Sequence, residues 1–246
     1  MGINLHQESI NKNYQYWQQK PLLQKLYAGF YRLIAQNLSS LPDAKIVELG
    51  SGLGNIREVI PHCLRTDLFP NPWIDQIENA YKLSFADESI SDLILTDVFH
   101  HLKYPGTALK EFVRVLRKGG RVIMLEPYMS MLGLLVYGIP HDEPIAITKK
   151  IEWESPEDWS PEETDYYAAQ GNATRVFVGS HFRPKLVAWQ KIETIRFSAI
   201  AYAASGGFSK PQLYPTSMFP LIRKLEKLLD VFPAFFATRL LVIFEK

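Results

Sequence analysis

Only one cysteine, Cys63, stands in the 246 residues. An intrachain disulfide is therefore excluded, and a reducing compartment fits. In the apolar stretch Ile60-Pro61-His62-Cys63-Leu64 a packed thiol is expected rather than a nucleophile. Charge excess is missing too: 27 Lys and Arg face 26 Asp and Glu, a formal net charge of +1, which leaves no electrostatic footprint for nucleic acid. The longest apolar runs, 129–140 and 231–244, are too short or too interrupted to span a bilayer. The first contains Met129-Ser130-Met131-Leu132-Gly133-Leu134-Leu135-Val136-Tyr137, which suits either a buried segment or peripheral contact with a membrane interface. Asn4, His6, Gln7 and Glu8 break any secretory signal, and His6 stands where myristoylation favours Ser or Thr. Repeats and low-complexity tracts are absent. A soluble, cytoplasmic protein is expected. With 47% hydrophobic residues it can bury a substantial core, as one α/β domain with or without a cap.

Apolar positions repeating at three and four predict helix over 6–41, inside an N-terminal cover of residues 1–44. Strands and helices then alternate through a core of residues 45–127: strand 45–49, helix from 55, strands 64–67, 73–77 and 91–97, helix 106–116, strand 121–126. This is the rhythm of a parallel sheet with its ligand site at the carboxyl ends of the strands. Between Asp67 and the third strand too few residues remain for a crossover helix, so a short loop is expected there. Arg117-Lys118-Gly119-Gly120 reads as a structural turn closing the second of these helices. Residues 128–190, rich in Pro, Trp and acids and without clear period, read as a cap insertion. Residues 191–246 return to the sheet with strands 193–200 and 239–244.

Ile46-Val47-Glu48-Leu49-Gly50-Ser51-Gly52-Leu53-Gly54-Asn55 carries the chemistry. Glycines at the mouth of a strand let the backbone turn and approach a ligand too closely for a Cβ. Glu48 would repel a pyrophosphate but suits a cationic sulfonium and ammonium. Asn55 stands where the dinucleotide fingerprint wants its third glycine. S-adenosylmethionine therefore fits better than a nicotinamide dinucleotide, with a plain strand-to-helix turn as the bland alternative. Asp67 ends the second strand, where it serves either ribose hydroxyls or the turn before Pro70-Asn71-Pro72.

Four ordered blocks follow one another: Val47 to Gly54, Leu83-Ser84-Phe85-Ala86-Asp87-Glu88-Ser89-Ile90-Ser91-Asp92-Leu93-Ile94, Val98-Phe99-His100-His101-Leu102, and Arg114 to Ile123. Together they resemble class I S-adenosylmethionine-dependent methyltransferases, and within them the type 11 group. The resemblance implies a Rossmann-like, mostly parallel sheet of seven strands with the last antiparallel, and 239–244 is the candidate for that strand. It assigns Glu48, Gly50, Ser51, Gly52 and Gly54 to the cofactor and Asp67 to its ribose. Asn79-Ala80 stands where an Asp-Ala pair commonly holds the adenine amino group, a role an amide carbonyl can keep. Asp97, closing the fourth strand, joins the cofactor set.

The reaction so implied is in-line methyl transfer to a small-molecule acceptor that no residue identifies. A base is needed only if the acceptor must lose a proton. Candidates near the methyl group are His100 or His101, Tyr128, and His141 and Glu143 in a cap over 128–210 that is expected to move. For the histidines, loop anchoring is the alternative; for His141 and Glu143, a solvated turn. His141, Asp142 and Glu143 are metal-ligand types, but consecutive side chains rarely converge on one ion, so no metal is expected. Ser205-Gly206-Gly207 suits a glycine turn better than an anion site, and Tyr14, Tyr16 and Trp17 either fold over the cofactor or pack on the surface. A catalytically silent cofactor-binding protein and, less well supported, a nicotinamide oxidoreductase are the rival functions.

Overall fold

The computed structural model describes residues 3–138 and 144–246. Two helices, α1 (Ile3–Gln19) and α2 (Pro21–Ala35), replace the single helix expected over 6–41. Pro21 lacks an N–H and excludes its predecessor from helical geometry, so Lys20 sits at φ −121°, ψ 83° and the chain bends there. Lys20 is nevertheless buried. Its ammonium donates to the carbonyls of Ser205 (3.2 Å), Gly207 (2.7 Å) and Lys210, which locks the bend onto a loop near the other end of the chain.

Strands β1 (Ile46–Leu49), β2 (Leu64–Asp67), β3 (Gln76–Ile77), β4 (Ile90–Thr96), β5 (Leu116–Pro127), β6 (Lys191–Phe197) and β7 (Arg239–Glu245) form one sheet in the order β3-β2-β1-β4-β5-β7-β6. β7 alone runs antiparallel to its neighbours, as expected. A loop joins β2 to β3 without a helix, also as expected, but β3 is shorter than 73–77. Pro70 and Pro72 precede it, and the carboxylate of Asp75 accepts from the Arg65 N–H (2.9 Å), removing a donor that a longer pairing would use. The helix expected from Asn55 is one 3-10 turn, Asn55–Glu58, stopped ahead of Pro61. Arg117–Gly120 is not the expected turn: it belongs to β5, whose pairing with β4 shifts between Ile90↔Leu116 and Asp92↔Arg121, with Gly119 at φ 75°.

Alternate residues of the strands face two cores. Val47, Leu93, Val122 and Val242 pack with α3 (Pro105–Val115), whereas Ile94, Ile123, Leu125 and Leu241 pack with α2. Beyond β5 come α4 (Met131–Gly138) and α5 (Asn172–Phe177). The segment around α5 is not a detached cap. Ile151, Trp153, Val176, Phe182, Leu186 and Trp189 are buried in the same core as β1 and β4, and Trp153 lies so close over Gly106 that a Cβ there would meet its ring at 2.3 Å. Then follow α6 (Ile200–Ala204), α7 (Phe219–Leu229) and α8 (Pro233–Phe236). Ile200 begins a helix rather than ending a strand. Among the described residues, no helix is long and apolar enough to cross a membrane.

Candidate active site

β1 lies between β2 and β4 in the sheet, and the chain leaves it through three left-handed glycines, Gly50 (φ 69°), Gly52 (φ 51°) and Gly54 (φ 64°). Their surroundings differ. A Cβ at Gly50 would meet Val98 Cγ2 at 2.4 Å and one at Gly54 the Trp73 carbonyl at 2.6 Å, but one at Gly52 meets nothing within 4 Å. Gly50 and Gly54 therefore shape the loop, while Gly52 faces open space. Ser51 ties the loop to β2: its N–H donates to the Thr66 carbonyl (2.8 Å), and its hydroxyl donates to the Glu48 carbonyl (3.2 Å) and accepts from the Thr66 N–H (3.1 Å).

Two carboxylates flank the loop. Asp67 accepts from the Gly52 N–H at 3.0 Å, so the structure brings together the two residues that the sequence linked through a cofactor. Glu48 is 1% exposed, and its Oε2 has no hydrogen-bond partner among the described residues. Burial pushes its pKa from 4.5 up to about 8, a hydrogen bond from Ser51 opposes this, and the charge of Asp67 adds to it.

Asn79 and Ala80 lie beyond β3. The Asn79 carbonyl oxygen accepts from the Tyr81 N–H (3.0 Å), and its amide donates to the Pro161 carbonyl (2.8 Å) and the Thr164 hydroxyl (3.2 Å). The side chain is thus an anchor for 161–164. Ala80 packs against the α3-side core.

After β4 the chain turns at Asp97, which has φ 58°, a conformation uncommon outside glycine. Its carboxylate forms a bidentate pair with Arg239 at the start of β7. Arg239 is 1% exposed and lies over the Tyr202 ring (4.4 Å from its centroid) and near Phe30, with Tyr27 packed at 5.9 Å from Tyr202. Burial opposes the guanidinium charge, and Asp97 holds it. Burial also raises the pKa values of Tyr27 and Tyr202 above the usual phenol range, so both are neutral hydroxyls.

Of the expected bases, His100 is buried, with Nδ1 2.7 Å from Glu126 Oε2 and Nε2 3.5 Å from Gln170. Glu126 is wholly buried and also accepts from the N–H groups of Val98 (2.8 Å) and Phe99 (2.6 Å). His100 therefore anchors the loop after β4. His101 is half-buried, and its Nδ1 lies 2.7 Å from the Tyr167 carbonyl, so Nδ1 carries the proton. Tyr128 is directed away from the glycine loop: its hydroxyl accepts from Arg196 on β6 (3.4 Å), toward the far edge of the sheet. His141 and Glu143 lie outside the described residues. Across the top, Tyr14 of α1 stacks on Trp73 (5.0 Å), Trp17 is buried against Phe208 and Tyr27, and the Tyr16 hydroxyl donates to the Ser209 carbonyl (3.3 Å). The glycine turn at 205–207 serves Lys20, as the turn reading expects. Sequence reasoning missed the roles of Glu126 and Arg239.

Residues 47–124 match the type 11 methyltransferase family, described as a methyltransferase domain. These residues are similar to a methyltransferase domain. The fold of the whole chain is similar to that of a SAM-dependent methyltransferase, possible histamine N-methyltransferase, from Thermotoga maritima (13% identity, TM-score 0.55, 99% of each chain covered). It is also similar to a SAM-dependent methyltransferase from Archaeoglobus fulgidus (10% identity, TM-score 0.53, 91% of this chain and 94% of that one). At such identities the likeness is one of fold. No curated protein sequence matches the chain. The matched residues contain β1, the glycine loop, Asp67 and the turn after β4.

Proposed function

We propose that this protein transfers a methyl group from S-adenosylmethionine to a small-molecule acceptor. One observation carries the proposal: the glycine loop opens at Gly52 onto free space beside a buried Glu48 oxygen that no protein group satisfies. A cationic ligand at this place would complete the hydrogen bonding of Glu48 and balance its charge on ionisation, whereas an anionic one would be repelled. The residues present thus fit the cofactor. Glu48 would hold its positive end, the 50–54 backbone would lie along it, and Asp67 would take ribose hydroxyls. Ala80 would border the adenine, with Asn79 holding the 161–164 segment beside it.

Bound there, the cofactor supplies a sulfonium methyl with a neutral thioether as leaving group, so positioning and exclusion of water supply most of the catalysis. Asp97 and His101, at the carboxyl end of β4, would orient an acceptor. Arg239 holds the Asp97 carboxylate in position. Asp97 would then accept the hydrogen bond of an acceptor O–H or N–H, and His101 would take a proton where one must leave. α1 and α2 cover this end and exclude water.

Calorimetry tests the cofactor, and incubation with radiolabelled methyl donor and a panel of acceptors tests the transfer. Micromolar binding of S-adenosylmethionine or its demethylated product, without binding of NAD, is expected. Preference for NAD would overturn the proposal, and cofactor binding without turnover across a broad panel would favour a silent binding protein.

A further inference from the structure

Uncovered apolar surface is concentrated on the helices that follow β6. On α7, Leu221, Leu225 and Leu228 are 63%, 47% and 69% exposed at i, i+4 and i+7, one outward stripe, while Ile222 and Glu226 turn inward. Val231, Phe232 and Phe235 continue it through the turn into α8 and along α8, all more than half exposed. α8 packs beside α4, a helix without a charged residue whose Met131 and Leu135 are also more than half exposed. Scattered single apolar residues are ordinary on a protein surface, whereas a run over three neighbouring helices marks an interaction site.

The charges on α7 say what meets it. Lys224 and Lys227 stand exposed between the leucines. The acids are turned away: Glu226 is buried, accepting from the Ala201 N–H (2.7 Å) and paired with Arg223, and Asp230 accepts from the Ser198 N–H. Two copies joined through this face about a two-fold axis would bring lysines toward lysines. Among the described residues, this apolar stripe flanked by ammonium groups without exposed acids matches an anionic lipid surface, with side chains in the acyl boundary and lysines at headgroup level. We propose that the α7, α8 and α4 face docks this protein on an anionic bilayer as a peripheral protein. The docking helices border the active site, because the Tyr137 hydroxyl on α4 donates to the Thr238 carbonyl (3.0 Å), one residue before Arg239.

Co-sedimentation with vesicles of phosphatidylcholine and phosphatidylglycerol tests this, with pure phosphatidylcholine as comparison. The full chain should bind the mixed vesicles and bind less at high salt. Leu228→Ser with Phe232→Ser should weaken the partition roughly 100-fold. Lys224→Gln with Lys227→Gln should weaken it roughly 30-fold on the mixed vesicles and leave pure phosphatidylcholine unaffected. All four side chains are exposed, so thermal melting should hold. Failure of the unaltered chain to sediment with mixed vesicles would overturn the proposal. So would a dimer in light scattering that the Leu228 and Phe232 substitutions dissociate, since the face would then join two copies.

Discussion

Cofactor binding should release a proton from Glu48. With its pKa near 8, roughly nine-tenths of the carboxyls are protonated at pH 7 before binding. A sulfonium and ammonium beside it favour the carboxylate, so binding at pH 7 should release close to one proton, and affinity should rise up to about tenfold from pH 6 to pH 7. Ionising Glu48 at pH 7 costs about 1.4 kcal/mol, against about 1.5–3 kcal/mol for a charge-assisted hydrogen bond. The net gain is thus only about 0–1.6 kcal/mol. Glu48→Gln should therefore weaken binding by at most roughly 15-fold at pH 7, less than the bond alone implies. Calorimetry at one pH in phosphate and in Tris, whose ionisation enthalpies differ, counts the proton; the pH series stays below 7.5 because the ligand's own amino group titrates near 8. Equal heats in the two buffers, or a Glu48→Gln variant that keeps the wild-type pH slope, would refute the reasoning.

The same carboxyl sets a stability slope without ligand. Its folded pKa is raised above the unfolded 4.5, so the native state binds the proton more tightly. Its contribution is fully favourable below pH 4.5 and is lost as pH rises through about 8, an effect on the order of 5 kcal/mol if the whole shift is realised. Denaturant titrations should show Glu48→Gln flattening that slope.

Gly50→Ala and Gly52→Ala should part company. The first meets Val98 and should lose roughly 2–5 kcal/mol in chemical denaturation, whereas the second should lose only the left-handed cost of roughly 1–2 kcal/mol yet abolish calorimetric cofactor binding. Asp97→Ala leaves Arg239 buried without its counter-charge and should cost about 3–5 kcal/mol, much of which Arg239→Met in the same chain should restore.

How legible all this was in the sequence depended on distance along the chain. The glycine loop, Glu48 and Asp67 lie within one βαβ-sized stretch where spacing carries the meaning, and the structure brings them together. In 144–190, part of the stretch read as a cap insertion over 128–190, the buried side chains follow no period. Trp153, Phe182 and Trp189 reach the core from loops and single turns, so neither a helical nor a strand repeat marks them. His100 is buried by a carboxylate 26 residues away and Arg239 by one 142 residues away. A charge at the head of the apolar strand 239–244 looks like a strand end facing water until its partner is known, and one sequence does not name partners at that separation.

The register puts three buried polar atoms on the α2 side of the sheet. Glu48 pairs in register with Ile94, and Thr96 lies two residues further along β4 on the same face as Ile94 and Leu125. Arg239 lies two residues before Leu241, again on that face. Glu48 Oε2, Thr96 Oγ1 and Arg239 Nε are each buried without a partner among the described residues. A fold ordinarily satisfies such atoms, because each orphan costs about 1–3 kcal/mol. Three of them on one face, rising toward the carboxyl ends of β1 and β4 and under the aromatic cover of Tyr27, Phe30 and Tyr202, are the mark of a place built for a polar ligand. On the opposite face, Glu126 has its acceptors filled by Val98, Phe99 and His100, so that face holds the loop after β4 in place.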